Sequence, residues 1–232
     1  MAFVIPPGPV PAVAVDGSDD LFPVHRVYCV GRNYADHARE MGHDPDRERP
    51  FFFQKSPDNL LPAGLMDEAG FPYPPQSQNV HFEIELVVAL SGGGVDVPEQ
   101  KALDLIWGYG VGLDMTRRDL QGEAKKAGRP WDSGKAFEHS APIGPLCPLA
   151  ATGPMEEGRI WLDVNGEPRQ DGNVDQLIWK VPEIIAHLST LFELRPGDLI
   201  FTGTPAGVGP VRKGDVMEGG VEGVGEIKVR VI

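Results

Sequence analysis

VHFEIELVVAL, residues 80–90, alternates apolar Val80, Phe82, Ile84 and Leu86 with His81, Glu83 and Glu85 before turning wholly apolar. That is how a strand entering a buried sheet reads, and strand side chains two residues apart share a face. Glu83 and Glu85 therefore project together, with His81 beside them. Two carboxylates held that close repel and must be neutralised by a shared proton, a basic partner or a cation. An isolated acidic pair on a strand is most often a solvated edge, so the neighbouring segments decide between these readings.

The composition narrows the field. The chain has 232 residues, 41% of them hydrophobic, enough for one large domain or one domain with a small appendage. Lys plus Arg number 21 against 34 Asp plus Glu, a net charge of −13, which repels a phosphate backbone and argues against nucleic acid. Cys29 and Cys147 stand far apart with no C-x-x-C, so neither a disulfide framework nor a zinc knuckle is indicated, and a reducing cytoplasm fits. Residues 1–22 are apolar but broken by Pro6, Pro7, Pro9 and Pro11, with no Lys or Arg ahead of the apolar run. They read as neither a signal peptide nor a membrane span. The expectation is an extended, proline-stiffened lead-in lying on the body or on a neighbouring subunit, with the catalytic domain in residues 23–232.

Residues 27–42 open with a buried-strand run, Val27 to Val30, broken by Gly31. Asn33 reads as the N-cap of a short helix that Gly42 closes. On it His37, Glu40 and Met41 fall at i, i+3 and i+4, so the imidazole and the carboxylate share a face as an acid/base pair, although such pairs on short exposed helices are commonly solvated. The charged tail, residues 43–49, reads as a mobile lid.

Residues 50–55 form a strand ending on Lys55, whose role the residues leave open between site and structure. Pro98 starts a helix that Gly108 ends, and residues 109–113 make a strand delivering Asp114. Thr116 reads as the cap of the next helix, which carries Arg118, Gln121 and Lys125 along one side. Lys135 stands in a Gly-flanked loop where a lone lysine has little packing reason to be. Farther on, Ile160, Leu162 and Val164 alternate into the hairpin signal Asn165-Gly166, with Pro168 marking an edge strand. Pro182 opens a helix whose Ile184, Ile185, Leu188, Leu191 and Phe192 face the core. The strand at residues 199–202 leads into GTPAGVGP, residues 203–210, whose glycines allow the backbone close to an anion. No nucleotide-binding, serine-hydrolase or zincin motif is present.

Five segments in order, GRNYADHAREMG, HFEIEL, GYGVGLDMTRRDLQ, GRPWDSGKAF and FTGTPAGVGP, resemble the fumarylacetoacetate hydrolase family, closest to its short acylpyruvase or fumarylpyruvate hydrolase type members. The resemblance implies an α+β fold, a mixed β-roll with a few surrounding helices, which agrees with the excess of strands over helices. It implies that Glu83, Glu85 and Asp114 hold Mg²⁺ or Mn²⁺, and that His37 and Glu40 activate water. It further implies that Arg118, Gln121 and Lys135 surround the substrate and that Thr204 meets the substrate carboxylate; the chemistry makes Lys135 the cationic stabiliser of the oxyanion, a role Gln121 could share. The implied reaction is hydrolysis of the carbon–carbon bond of a 2,4-dioxo acid, fumarylpyruvate foremost, by a cytoplasmic homodimer with no membrane partner. Oxaloacetate decarboxylation, isomerisation of a hydroxylated diene-dioate and a non-catalytic metal-stabilised role are the alternatives. Phe82 and Ser56 depart from relatives that carry a His and a Pro there, which bears on the pocket rim.

Overall fold

Parity along the strand Ile84–Leu90 organises the interior, because all seven residues are buried. Ile84, Leu86, Val88 and Leu90 enter the larger hydrophobic core, while Val87 and Ala89 enter a second, smaller one with Val27, Cys29, Leu199 and Phe201. A strand covered on both faces has no polar side, which is why its sequence becomes wholly apolar. The computed structural model describes residues 3–40, 48–64 and 68–232.

Among the described residues the large sheet runs Phe51–Lys55, Arg26–Gly31, Asp198–Phe201, Ile84–Leu90, Ile106–Leu113, Ala141–Ile143 and Leu60–Pro62, with Cys147–Pro148 also paired to Ile106–Leu113. It is mixed: Asp198–Phe201 lies parallel to Arg26–Gly31 and antiparallel to Ile84–Leu90. A second sheet of five strands is built on the hairpin Arg159–Val164/Glu167–Asn173. Its turn residues Asn165 and Gly166 both have positive φ, as a tight hairpin turn requires. Glu167–Asn173, which carries Pro168, is an edge of that sheet, as the proline demands. Few helices surround the sheets, so the α+β mixed roll is the fold found.

Several elements differ from the sequence reading. The 80–90 stretch is two strands: Val80–Phe82 joins a small three-stranded sheet and Ile84–Leu90 the large one, with Glu83 at the break. The helix after Pro98 is only Glu99–Ala102 plus one 3₁₀ turn, because the apolar residues from Ile106 onward already belong to the strand Ile106–Leu113. Asn33 does not cap the helix Ala35–Glu40. Its amide donates to the carbonyls of Trp179 and Thr202 and accepts from Trp179 N–H, tying distant segments together. Thr116 likewise does not cap; its hydroxyl donates to the Asp114 carbonyl, and the helix is Arg118–Lys126. Lys135 ends a short helix, Asp132–Lys135, rather than lying in a loop. On the helix Val181–Leu191, Ile184, Ile185 and Leu188 are buried, but Leu191 is 64% exposed at its last turn.

Near the N-terminus, Ala12–Ala14 and Leu21–Pro23 pair antiparallel and place Val13 and Phe22 in the smaller core. Ahead of them Phe3, Val4, Ile5 and Val10 are exposed. Gly42 and most of the expected lid lie outside the described residues. No helix among the described residues is long and apolar enough to cross a membrane.

Candidate active site and metal centre

Register builds the acidic centre. Ile84 pairs with Leu113 and Glu85 with Gly112, and the Asp114 N–H donates to the Glu83 carbonyl at 2.8 Å. Asp114 therefore follows its strand out of the sheet where Glu83 enters it. One oxygen from each of Glu83, Glu85 and Asp114 lies within 4.8 Å of the others, and all three residues are buried. His81 does not join them: its Nε2 is 2.9 Å from Asn79 Oδ1, and it is not among the residues lining the central cavity.

Three cations compensate two of these carboxylates. Lys135, 3% exposed, donates to Glu83 Oε2 at 2.7 Å and to Asp114 Oδ2 at 2.6 Å, and Arg118 donates to the other oxygen of Glu83. Lys55, 2% exposed, has its Nζ 2.8 Å from Asp114 Oδ1 and donates to the carbonyls of Met115 and Lys135. Burial works against an ionised Glu83, but Lys135, Arg118 and His37 overcome it and hold the carboxyl well below its ordinary range. Lys135 also resists burial: Asp114 and Glu83 raise it above the ordinary lysine value.

Glu85 is the exception. Among the described residues its carboxylate accepts one hydrogen bond, from the Gly203 N–H at 2.8 Å, and burial, then Asp114 and Glu83, push its carboxyl well above the usual carboxylate range. A buried carboxylate with no ion-pair partner among the described residues, beside two others, is a place where a divalent cation makes ionisation favourable. Oxygen-only donors from rigid backbone suit a hard ion, so the residues present fit Mg²⁺ or Mn²⁺.

A cavity of about 520 Å³ opens above the triad. His37 lines it, with Nδ1 3.2 Å from Glu40 Oε2, and the Gly207 N–H donates to the Glu40 carboxylate at 3.1 Å. An ionised carboxylate only accepts, so Nδ1 carries the ring proton and Nε2 is left basic. Gln121 lines the same space. Its Oε1 accepts from Arg118 at 2.8 Å, which leaves its NH₂ as a donor. Thr204 Oγ1 accepts from Gln170 Nε2 at 2.8 Å, so its own hydroxyl proton is available to a ligand.

All nine residues singled out in the sequence line or adjoin this cavity: His37, Glu83, Glu85, Asp114, Arg118, Gln121, Lys135 and Thr204 line it, and Glu40 is bonded to His37. Sequence reasoning left Lys55 undecided and passed over Arg32 and the aromatic wall of Phe51, Phe53 and Trp131. The signal for Lys55 was present, since Phe51, Phe53 and Lys55 alternate onto one face of their strand.

The family model described as fumarylacetoacetate (FAA) hydrolase C-terminal matches residues 26–232. A fumarylpyruvate hydrolase from Ralstonia sp is 49% identical over 193 residues, covering 82% of this chain and 98% of that protein. A mouse (Mus musculus) protein named oxaloacetate tautomerase FAHD1, mitochondrial, is 41% identical over 208 residues, covering 88% of this chain and 90% of its own. Among solved structures, fumarylpyruvate hydrolase from Pseudomonas aeruginosa in complex with Mn²⁺ and pyruvate superposes with a TM-score of 0.98 at 53% identity, covering 100% of this chain and 99% of that one.

Proposed function

Because the chain belongs to the fumarylacetoacetate hydrolase family, we propose that it hydrolyses fumarylpyruvate to fumarate and pyruvate with Mg²⁺ or Mn²⁺ held by Glu83, Glu85 and Asp114. The observation that carries this reading is the sharing of one cavity by the buried triad and the His37–Glu40 pair. A structural metal site needs no neighbouring base.

When bound, the ion supplies concentrated positive charge to the 2-oxo acid end of the substrate. Thr204, through its free hydroxyl proton, binds the carboxylate at that end. His37, held by Glu40, takes a proton from water through Nε2 as the water oxygen attacks the distal keto carbon. Gln121 NH₂ and the proton of Lys135 not given to Glu83 or Asp114 donate to the oxyanion that develops there. The carbon–carbon bond then breaks toward the pyruvate half, which takes up a proton, and the acyl half leaves as the carboxylate. One water is consumed, and one fumarate and one pyruvate are released.

A second reading draws on the oxaloacetate tautomerase relatives: the same base can shift a proton on oxaloacetate without any attack by water. Residues 23–232 constitute the catalytic unit in this proposal, and residues 1–22 its lead-in. Exposed Phe3, Val4 and Ile5 support a homodimer, and the free buried thiols of Cys29 and Cys147 support a cytoplasmic setting.

The test supplies fumarylpyruvate and oxaloacetate separately with Mn²⁺ and follows pyruvate release from the first and enol-keto exchange in the second. Fumarylpyruvate should be consumed, and His37→Ala should cut that turnover by ~10²–10⁴ while Mn²⁺ binding stays intact. Action on oxaloacetate alone would replace the hydrolase reading with the second one.

A further inference from the structure

Of the seven residues in the edge strand Glu167–Asn173, Gln170 alone is buried, at 1% exposure. It pairs with Leu162, which belongs to the larger core, so strand pairing puts an amide where packing by itself would place a hydrocarbon. The register slips beside it, between Leu162 and Asp163, leaving Arg169 as the extra residue of a bulge, and bulges re-aim the side chains next to them. A buried amide costs free energy unless its donors and acceptor are bonded.

Its partners all belong to the frame of the candidate site. Gln170 Oε1 accepts from the Ile84 N–H at 3.0 Å, and Nε2 donates to Thr204 Oγ1 and to the Pro205 carbonyl, both at 2.8 Å. Ile84 lies between Glu83 and Glu85, and the peptide unit that carries its N–H also carries the Glu83 carbonyl that accepts from Asp114. The adjacent strand Asp198–Phe201 makes its last pair between Phe201 and Val87, so Gln170 fastens that peptide beyond the end of the ladder. The loop carrying Thr204 is seated on Gln170's own strand, where a Cβ on Gly207 would collide with the Arg169 carbonyl oxygen.

Polarity leaves the amide no choice of orientation. A backbone N–H only donates and a carbonyl only accepts, so Ile84 and Pro205 fix which end of the amide is oxygen and which is nitrogen. The second hydrogen of Nε2 then goes to Thr204, whose hydroxyl must accept it and turn its own proton elsewhere. Thr204 lines the cavity and Gln170 does not, so the glutamine acts on a ligand only through the threonine.

We propose that Gln170 is a positioning residue that presets the Thr204 hydroxyl as a hydrogen-bond donor to the carboxylate of a 2-oxo acid. The assignment rests on the carboxylate-binding role proposed for Thr204 and deepens it. A hydroxyl left to itself rotates and can donate or accept, whereas an ionised carboxylate only accepts. Committing one lone pair to Gln170 removes that freedom before the ligand arrives, so no reorientation is needed on binding.

The test titrates pyruvate, at saturating Mn²⁺, into wild type, Gln170→Met, Thr204→Val and the double variant. Thr204→Val should weaken pyruvate binding about ten-fold or more, as loss of a hydrogen bond to a charged group implies. Gln170→Met should weaken it too, but should add nothing in the Thr204→Val background, because the amide acts through the hydroxyl. A glutamine that merely supports the fold would weaken binding with or without Thr204, so losses that add overturn the proposal. Unchanged affinity in Gln170→Met also overturns it. If Gln170→Met does not fold, Gln170→Glu takes its place at alkaline pH: it keeps the shape and the acceptor facing Ile84 but, ionised, has no hydrogen to give and draws the Thr204 proton to itself. It should lose pyruvate affinity in the wild-type background and none in Thr204→Val. Wild type that binds pyruvate without hydrolysing fumarylpyruvate removes the hydrolase reading and leaves the cycle to decide this one. Wild type that binds no pyruvate, or Thr204→Val that binds it as wild type does, overturns the role given to Gln170.

Discussion

Glu83 and Glu85 sit two residues apart in the same cluster, yet their removal should have opposite consequences. Glu83 answers Lys135 and Arg118, so Glu83→Ala strands two cations near the floor and should cost about 3 kcal/mol or more in urea unfolding, besides abolishing Mn²⁺ binding by calorimetry. Glu85 has no ion-pair partner among the described residues, so Glu85→Gln should abolish Mn²⁺ binding while leaving the metal-free protein at least as stable as wild type. The pH dependence follows from the raised Glu85 carboxyl. The folded chain keeps this proton above the ordinary value of 4.5 and the unfolded chain releases it there, so metal-free stability falls as pH rises from 4.5. Glu85→Gln should remove that fall, and Mn²⁺ affinity in the wild type should rise over the same range as the ion displaces the proton. The closeness of Glu83 and Glu85 was legible in the sequence because strand parity is a local rule, while Asp114 joined them only through the resemblance. Asn33 and Thr116 were not: their side-chain oxygens suit a cap equally well, but Asn33 is committed to backbone 146 and 169 residues away, which no local pattern records.

The loop after the strand Asp198–Phe201 has a similar lesson one level up. Its glycines announced close approach to an anion, and the anions are the protein's own: the Gly203 N–H meets Glu85 and the Gly207 N–H meets Glu40. One loop thus orients both a candidate ligand and the partner of the candidate base. Gly203 has φ 103°, and a Cβ there would stand 2.8 Å from the Asn33 Cβ, so Gly203→Ala is strained in backbone and side chain together. It should destabilise the fold by about 1–3 kcal/mol and weaken Mn²⁺ binding, read by denaturation and titration in parallel. Stability lost with metal affinity unchanged would separate the loop from the site. The hairpin at Asn165-Gly166 and the apolar helix face were readable because their signals are short-range. The break at Glu83 was hidden because residues on either side of it keep one alternating pattern while joining different sheets.

At the scale of the whole molecule, exposed Phe3, Val4, Ile5 and Val10 precede a ribbon that is anchored in the smaller core through Val13 and Phe22. If these apolar residues cover a second copy, sedimentation should give the mass of two 25.1 kDa chains, and removing residues 3–10 should shift the protein toward one. A wild-type mass of one chain would refute the homodimer. The mixed order of the large sheet also has a temporal meaning. Asp198–Phe201 is inserted between Arg26–Gly31 and Ile84–Leu90, so a chain emerging from the ribosome carries two apolar strands whose shared neighbour has yet to be made. At usual synthesis rates that interval is on the order of ten seconds. Throughout it Glu85 also lacks the Gly203 N–H, because that residue comes off later still. The nascent chain exposes those apolar strand edges until then, and its candidate metal centre gains the Gly203 N–H only when the last fifth of the polypeptide is being delivered.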